Sequence, residues 1–182
     1  TPGPSPVPSF LRESLAKEII HHRTDEFRKI LAEAHQGLKN ILLTDNPVVV
    51  FSASGTGAME AAVSNLFSKG DKVVVISGGK FGQRWSEISN SYALDVIEMK
   101  INWGDAPNPE RLKEILEKNE RITAVLTTLC ETSTATVYDI EKITKIAKKN
   151  EAITVVDAIS GLGQDKLLTD QWGVDVVVGG SQ

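Results

Sequence analysis

Ile153-Thr154-Val155-Val156-Asp157-Ala158-Ile159-Ser160-Gly161-Leu162-Gly163 is the stretch whose reading decides the fold. An apolar, β-branched run ends abruptly in a carboxylate, and small residues with two glycines follow. Such a run, with no polar alternation, reads as a strand buried on both faces of a parallel sheet. In an open α/β sheet, ligands sit beyond the carboxyl ends of the strands. Asp157 is therefore placed to touch one. A buried carboxylate needs a partner, so Asp157 either meets a ligand or caps the turn that follows it.

Working outward from this strand, the same rhythm recurs on both sides. Downstream, Asp170-Gln171-Trp172-Gly173 reads as a turn and Val174 to Val178 as a last strand. Upstream, Asp139 to Asn150 is a helix with Ile140, Ile143, Ile146 and Ala147 inward, and Ile122 to Thr128 is a strand. Pro107, Asn108 and Pro109 open a charged helix running to about Lys118. Asp95 to Ile101 and Lys72 to Ser77 are strands, separated by a helix from Phe81 to Tyr92. Ala58 to Ser68 is a helix, and Val48-Val49-Val50-Phe51 is a short buried strand. Strands alternating with helices predict an α/β fold, a three-layer αβα arrangement around a mostly parallel central sheet.

The beginning of the chain differs. Thr1 to Pro8 holds four prolines in eight residues, which forbids a helix and favours an extended arm. Ser9 is a plausible N-cap for a helix over Phe10 to His21, and Asp25 to Leu43 is a long amphipathic helix with Gly37 as its weak spot. The expected organisation is an arm with the start of the first helix over residues 1–15, and one large domain over 16–182. His21, His22 and His35 lie at no ligand spacing with Cys or acidic residues, so no metal is expected.

Composition narrows the class. Apolar residues make up 41% and charged residues 24%, values that support a packed core. A net charge of -4 leaves no basic footprint for nucleic acid. Cys130 is the only cysteine, so no internal disulfide framework forms and a reducing, cytoplasmic setting is expected. No apolar stretch is long enough to span a bilayer, so no membrane partner is expected. The sequence stops directly after a strand, and a fragment of a longer polypeptide is expected.

Four strand-end loops carry the chemistry. Ser54-Gly55-Thr56-Gly57 leads into a helix, where small residues let backbone N–H groups approach an anion and the helix N-terminus adds partial positive charge. A tight strand-to-helix turn is the alternative. Ser77-Gly78-Gly79-Lys80-Phe81-Gly82 sets an aromatic among glycines, fit either to lie on a ring ligand or to open the next helix as a core residue. Cys130-Glu131-Thr132-Ser133-Thr134-Ala135-Thr136 offers short polar side chains to a bound group or to its own backbone. The fourth is Asp157 with Ser160 and the Gly-Leu-Gly turn.

The pieces fall in one order. Ser54-Gly55-Thr56-Gly57-Ala58-Met59-Glu60-Ala61, Phe81-Gly82-Gln83-Arg84-Trp85, Glu131-Thr132-Ser133-Thr134, Val156-Asp157-Ala158-Ile159-Ser160 and Gly180-Ser181-Gln182 together resemble the class V aminotransferases, fold type I pyridoxal-phosphate enzymes. The nearest branch is that of the alanine–glyoxylate and serine–pyruvate aminotransferases. Thr1-Pro2-Gly3-Pro4 and His22-Arg23 resemble it too. The resemblance implies the large domain of a fold type I transferase and pyridoxal 5'-phosphate as cofactor. It implies that Gly55, Thr56, Gly57 and Gln182 hold the cofactor phosphate and that Phe81 stacks on the ring. Thr132 would lie near the phenolic oxygen, Asp157 at the ring nitrogen and Ile159 on the opposite ring face. Gly3 and Pro4 would lie near the substrate. The Schiff-base lysine is expected immediately after Gln182. Two positions depart from the family pattern: Cys130 stands where His or Asn is frequent, and Ala135 where Gly is usual. The implied activity is transfer of an amino group from a small amino acid to a 2-oxo acid, in a homodimer. Another pyridoxal-phosphate enzyme on the same fold, a desulfurase or lyase, stays open, as does a non-catalytic subunit that keeps the scaffold.

Overall fold

A computed structural model describes Gly3 and residues 5–181. In chain order its elements are α1 (Ser9–Leu15), α2 (Asp25–Leu42), α3 (Gly55–Leu66), β1 (Lys72–Ser77), α4 (Lys80–Ser91), β2 (Asp95–Lys100) and α5 (Pro109–Lys118). There follow β3 (Ile122–Thr128), β4 (Cys130–Glu131), β5 (Thr136–Val137), α6 (Ile140–Lys149), β6 (Ile153–Asp157), α7 (Thr169–Trp172) and β7 (Val176–Val178). Five strands form one sheet in the order β2-β1-β3-β6-β7, with every neighbouring pair parallel. β4 and β5 pair antiparallel as a small separate hairpin.

Both faces of the sheet are covered, as the unbroken apolar runs require. Val74, Ile76, Val125 and Val156 pack under α5 and α6 through Leu112, Leu116, Ile140, Ile143 and Ala147. On the other face Val73, Val75, Ala124, Leu126 and Val155 pack under α3 and α4 through Met59, Val63, Trp85 and Ile88. The result is the expected three-layer αβα arrangement. Because the strands are parallel, Ser77, Thr128, Asp157 and Val178 all end at the same edge, and the three loops after β1, β3 and β6 emerge side by side.

Several boundaries correct the sequence reading. Val48 to Phe51 is not a buried strand: it has no regular structure, and Val49, Val50 and Phe51 are 78%, 59% and 48% exposed. An apolar run becomes a strand only with a ladder partner, and among the described residues none pairs with it. The first helix stops at Leu15 rather than His21, and Ser9 lies inside it while Pro8 holds the N-cap position. That helix buries no residue, and short helices without packing are marginal. The helix expected from Ala58 begins three residues earlier, because the Ser54 hydroxyl accepts from the Gly57 N–H at 3.2 Å and caps it there. The Asp170–Gly173 turn is one helical turn closed by Gly173 at φ 73, a left-handed position that suits glycine. The last strand is shorter than expected and begins at Val176. α2 runs unbroken through Gly37.

Candidate active site

Asp157 closes β6 and is only 4% exposed. Its Oδ1 accepts from the Ile159 N–H at 2.9 Å. One oxygen thus caps the following turn, and among the described residues no donor meets the other. Burial pushes the carboxyl up to about 6, opposed by the Ile159 N–H and reinforced by the nearby negative charge of Glu131.

Contacts link the four loops in a closed ring. The Arg84 guanidinium donates to the Thr56 hydroxyl at 3.0 Å, joining α4 to the start of α3. Phe81 and Gly82 donate their N–H groups to the Glu131 carboxylate at 3.1 and 2.9 Å, joining α4 to the hairpin. The Thr132 and Ser160 hydroxyls are hydrogen-bonded, joining the hairpin to the loop after β6. Ile159 then packs back on α3: a Cβ added at Gly55 would lie 2.3 Å from its Cδ1. Asp157 lies at the carboxyl edge of the sheet, its side chain bonded to Ile159 of this ring.

At the start of α3 the Gly57 N–H is taken by Ser54, while among the described residues no acceptor meets the N–H groups of Gly55 and Thr56. Two open donors at the N-terminus of a 12-residue helix form a place for an anion. Phe81 is partly buried in the first turn of α4. Burial, then Asp165 and Glu131, push the Cys130 thiol up, which disfavours the nucleophilic thiolate there.

The sequence-predicted residues Gly55, Thr56, Gly57, Phe81, Thr132, Asp157 and Ile159 thus come together. Gly3 is partly buried. Pro4 and Gln182 lie outside the described residues. Three contacts are not readable from the sequence: Arg84 with Thr56, Ser160 with Thr132, and Glu131 with the start of α4. Only the positions of these residues in distinctive loops gave a signal.

The class V aminotransferase sequence profile matches residues 9–182. The chain belongs to the class V aminotransferase family. It is 42% identical, over its whole length, to a protein named soluble hydrogenase, small subunit, from a Synechococcus species, of which it covers 48%. It is 36% identical to L-aspartate–glyoxylate aminotransferase of Paracoccus denitrificans, again over its whole length and 47% of that protein. The solved alanine–glyoxylate aminotransferase of a Nostoc species superposes with a TM-score of 0.94 at 28% identity, over 100% of this chain and 48% of that one. The chain spans about half the length of the relatives it matches. Among the described residues, no helix is long and apolar enough to cross a membrane.

The packing of α4 on β1 leaves no space at Gly82. A Cβ there would stand 2.7 Å from the Ile76 carbonyl oxygen and 2.8 Å from the Ser77 Cα, both backbone atoms that cannot swing aside. Gly82→Ala is expected to cost the full-length protein roughly 1–3 kcal/mol, read from urea midpoints. An unchanged midpoint refutes the tight α4–β1 packing.

Proposed function

We propose that the full-length protein is a pyridoxal-phosphate aminotransferase, moving an amino group from a small amino acid such as alanine or serine to a 2-oxo acid such as glyoxylate or pyruvate. The observation that carries this reading is Asp157. A carboxylate so deeply buried, with one oxygen unmet and its acidity weakened by burial, suits a cationic partner. The protonated nitrogen of a pyridine ring is such a partner.

The other residues fit the same group. Gly55 and Thr56 present N–H groups without an acceptor among the described residues to a phosphate, with Gly57 in the same turn, and the resemblance alone assigns Gln182 to it. Phe81 and Ile159 would supply apolar contacts to the cofactor's ring, and Thr132 a hydroxyl for its phenolic oxygen. Gly3 and Pro4 are assigned to the substrate side. When bound, pyridoxal phosphate supplies the sink for the electron pair released at the substrate α-carbon. Asp157 would hold the proton on the ring nitrogen, since an ionised carboxylate beside it would favour the charged form. Phe81 and Ile159 exclude water from the ring faces. The Thr56–Arg84 and Thr132–Ser160 bonds keep the cradle shaped. A lysine directly after Gln182 is read as the covalent anchor and proton carrier.

The reading is tested by the absorbance of the purified full-length protein during titration with alanine, serine and aspartate. Amino-acid-dependent spectral change and formation of the 2-oxo acid are expected. A protein that stays colourless after reconstitution refutes it. A second reading, a non-catalytic subunit on the same scaffold, draws on the hydrogenase-subunit name of one relative. It predicts cofactor retention with no amino transfer. Release of sulfide or ammonia without transfer would instead mark a desulfurase or lyase.

The protein is further proposed to work as a homodimer in the cytoplasm, the compartment that fits its single cysteine. Phe10, Leu11 and Leu15 of α1 and Ile30, Leu31 and Ile41 of α2 are exposed, and neither helix buries a residue. So much exposed apolar surface marks an interface. Light scattering of the full-length protein is expected to give twice the chain mass, and an active monomer refutes the proposal.

A further inference from the structure

Glu131 presents a question that chain packing alone does not answer. It ends β4, is fully buried, and among the described residues forms no ion pair with a lysine or arginine. Its charge is met only by donors. Oε2 accepts from the Phe81 and Gly82 N–H groups at 3.1 and 2.9 Å. Oε1 accepts from the Ser133 N–H at 3.2 Å and the Ser133 hydroxyl at 2.6 Å. Phe81 also approaches Oε1, at 3.3 Å. The Ser133 hydroxyl in turn accepts from the Lys80 N–H at 3.0 Å.

The first three N–H groups of α4 are therefore satisfied from the hairpin. An ordinary cap uses a side chain next to the helix start; here the cap comes from about fifty residues along the chain. Gly79 makes the approach possible, since a Cβ there would lie 2.4 Å from the Glu131 Cδ. What the joint connects is specific. One side carries Phe81. The other side is followed at once by Thr132. A carboxylate gripping N–H donors on one side and Ser133 on the other fixes the distance and angle between those two groups.

We infer that Glu131 is a positioning residue that locks Phe81 against Thr132, setting the orientation in which an aromatic cofactor is held. The inference rests on the pyridoxal-phosphate reading of the site. Glutamine fills the same space, but its NH2 faces backbone donors in place of an acceptor, so Glu131→Gln breaks one side of the grip. Aspartate keeps the charge and both acceptors but falls one methylene short.

The test uses the full-length protein as wild type, Glu131→Gln, Glu131→Asp and Ser133→Ala. The readouts are the Kd for pyridoxal phosphate, from quenching of tryptophan fluorescence, and the visible circular dichroism of the bound cofactor. Melting temperature is recorded alongside. Glu131→Gln is expected to weaken binding roughly tenfold or more, the scale of a lost charge-assisted bond in a buried site, with a changed dichroic band. Glu131→Asp is expected to recover part of both, and Ser133→Ala to change the band with a Kd rise of about threefold. Wild-type dichroism and affinity in Glu131→Gln, with only a lower melting temperature, overturn the inference and leave Glu131 a structural cap. If Glu131→Gln does not fold, wild-type values in Ser133→Ala overturn it equally. If the wild type itself fails to bind the cofactor, the function reading falls and this inference with it.

Discussion

Full-length protein carrying Asp157→Asn is expected to transaminate roughly 10²–10³ times more slowly, the scale of losing one preorganised electrostatic group, and yet to be the more stable protein without cofactor. The two effects share one cause. Burial raises the Asp157 carboxyl from 3.8 to about 6. A folded-state pKa above the unfolded value means that the fold favours the protonated form. Its contribution is full below about pH 4 and is lost as pH rises through about 6. Above that, the folded protein holds a buried carboxylate at a cost of about 3 kcal/mol, two pKa units at 1.36 kcal/mol each. Asparagine is neutral at every pH and its side-chain oxygen can keep the bond from the Ile159 N–H. Urea unfolding of the cofactor-free proteins is therefore expected to give similar stabilities at pH 4, with the variant ahead by up to about 3 kcal/mol at pH 7. Single-turnover rates of the loaded proteins supply the other half. If Asp157 only caps its turn, asparagine serves as well and the single-turnover rate matches the wild type; equal stabilities at pH 7 refute the buried, raised carboxyl.

The strands that bear the site were legible because they are buried on both faces. Lys72 to Ser77, Ile122 to Thr128 and Ile153 to Asp157 begin and end where the sequence places them. In each, an unbroken apolar run gives way to small or polar residues, the pattern expected of a central parallel strand. Val48 to Phe51 shows the same pattern with no ladder partner, a property of the neighbours rather than of the run itself. From the sequence the glycines at 55 and 57 belong to a loop of small residues leading into the helix. They stand in the first turn of α3, where Ile159 leaves no room beside Gly55 and the Ala53 Cβ crowds Gly57. The candidate site was half legible. Asp157 declared itself as a carboxylate at the tip of an apolar strand. Glu131 did not, because its partners are backbone N–H groups about fifty residues away, and sequence gives no sign of a backbone donor.

Trp85→Ala is expected to cost the full-length protein about 3–5 kcal/mol, enough to consume much of an ordinary stability margin. Trp85 has no exposed surface and is the largest of the fully buried side chains. It lies among Met59, Val63, Val73, Val75, Ile88 and Leu126, so its removal empties the layer between the sheet and α3–α4. Its indole N–H also donates to the Thr127 carbonyl at 3.0 Å, pinning α4 to β3. Trp85→Phe separates the two contributions. It keeps a ring in the cavity and loses the hydrogen bond, and about 1–2 kcal/mol is expected from urea midpoints. Position 85 follows Phe81 by four residues on the same helix, so the two share a face. A loosened Trp85 therefore frees the turn that carries Phe81, and under the pyridoxal-phosphate reading the Kd for the cofactor rises together with the loss of stability. A Trp85→Ala protein that loses less than about 1 kcal/mol and binds the cofactor like the wild type would mean that α4 is held by the Glu131 hairpin alone.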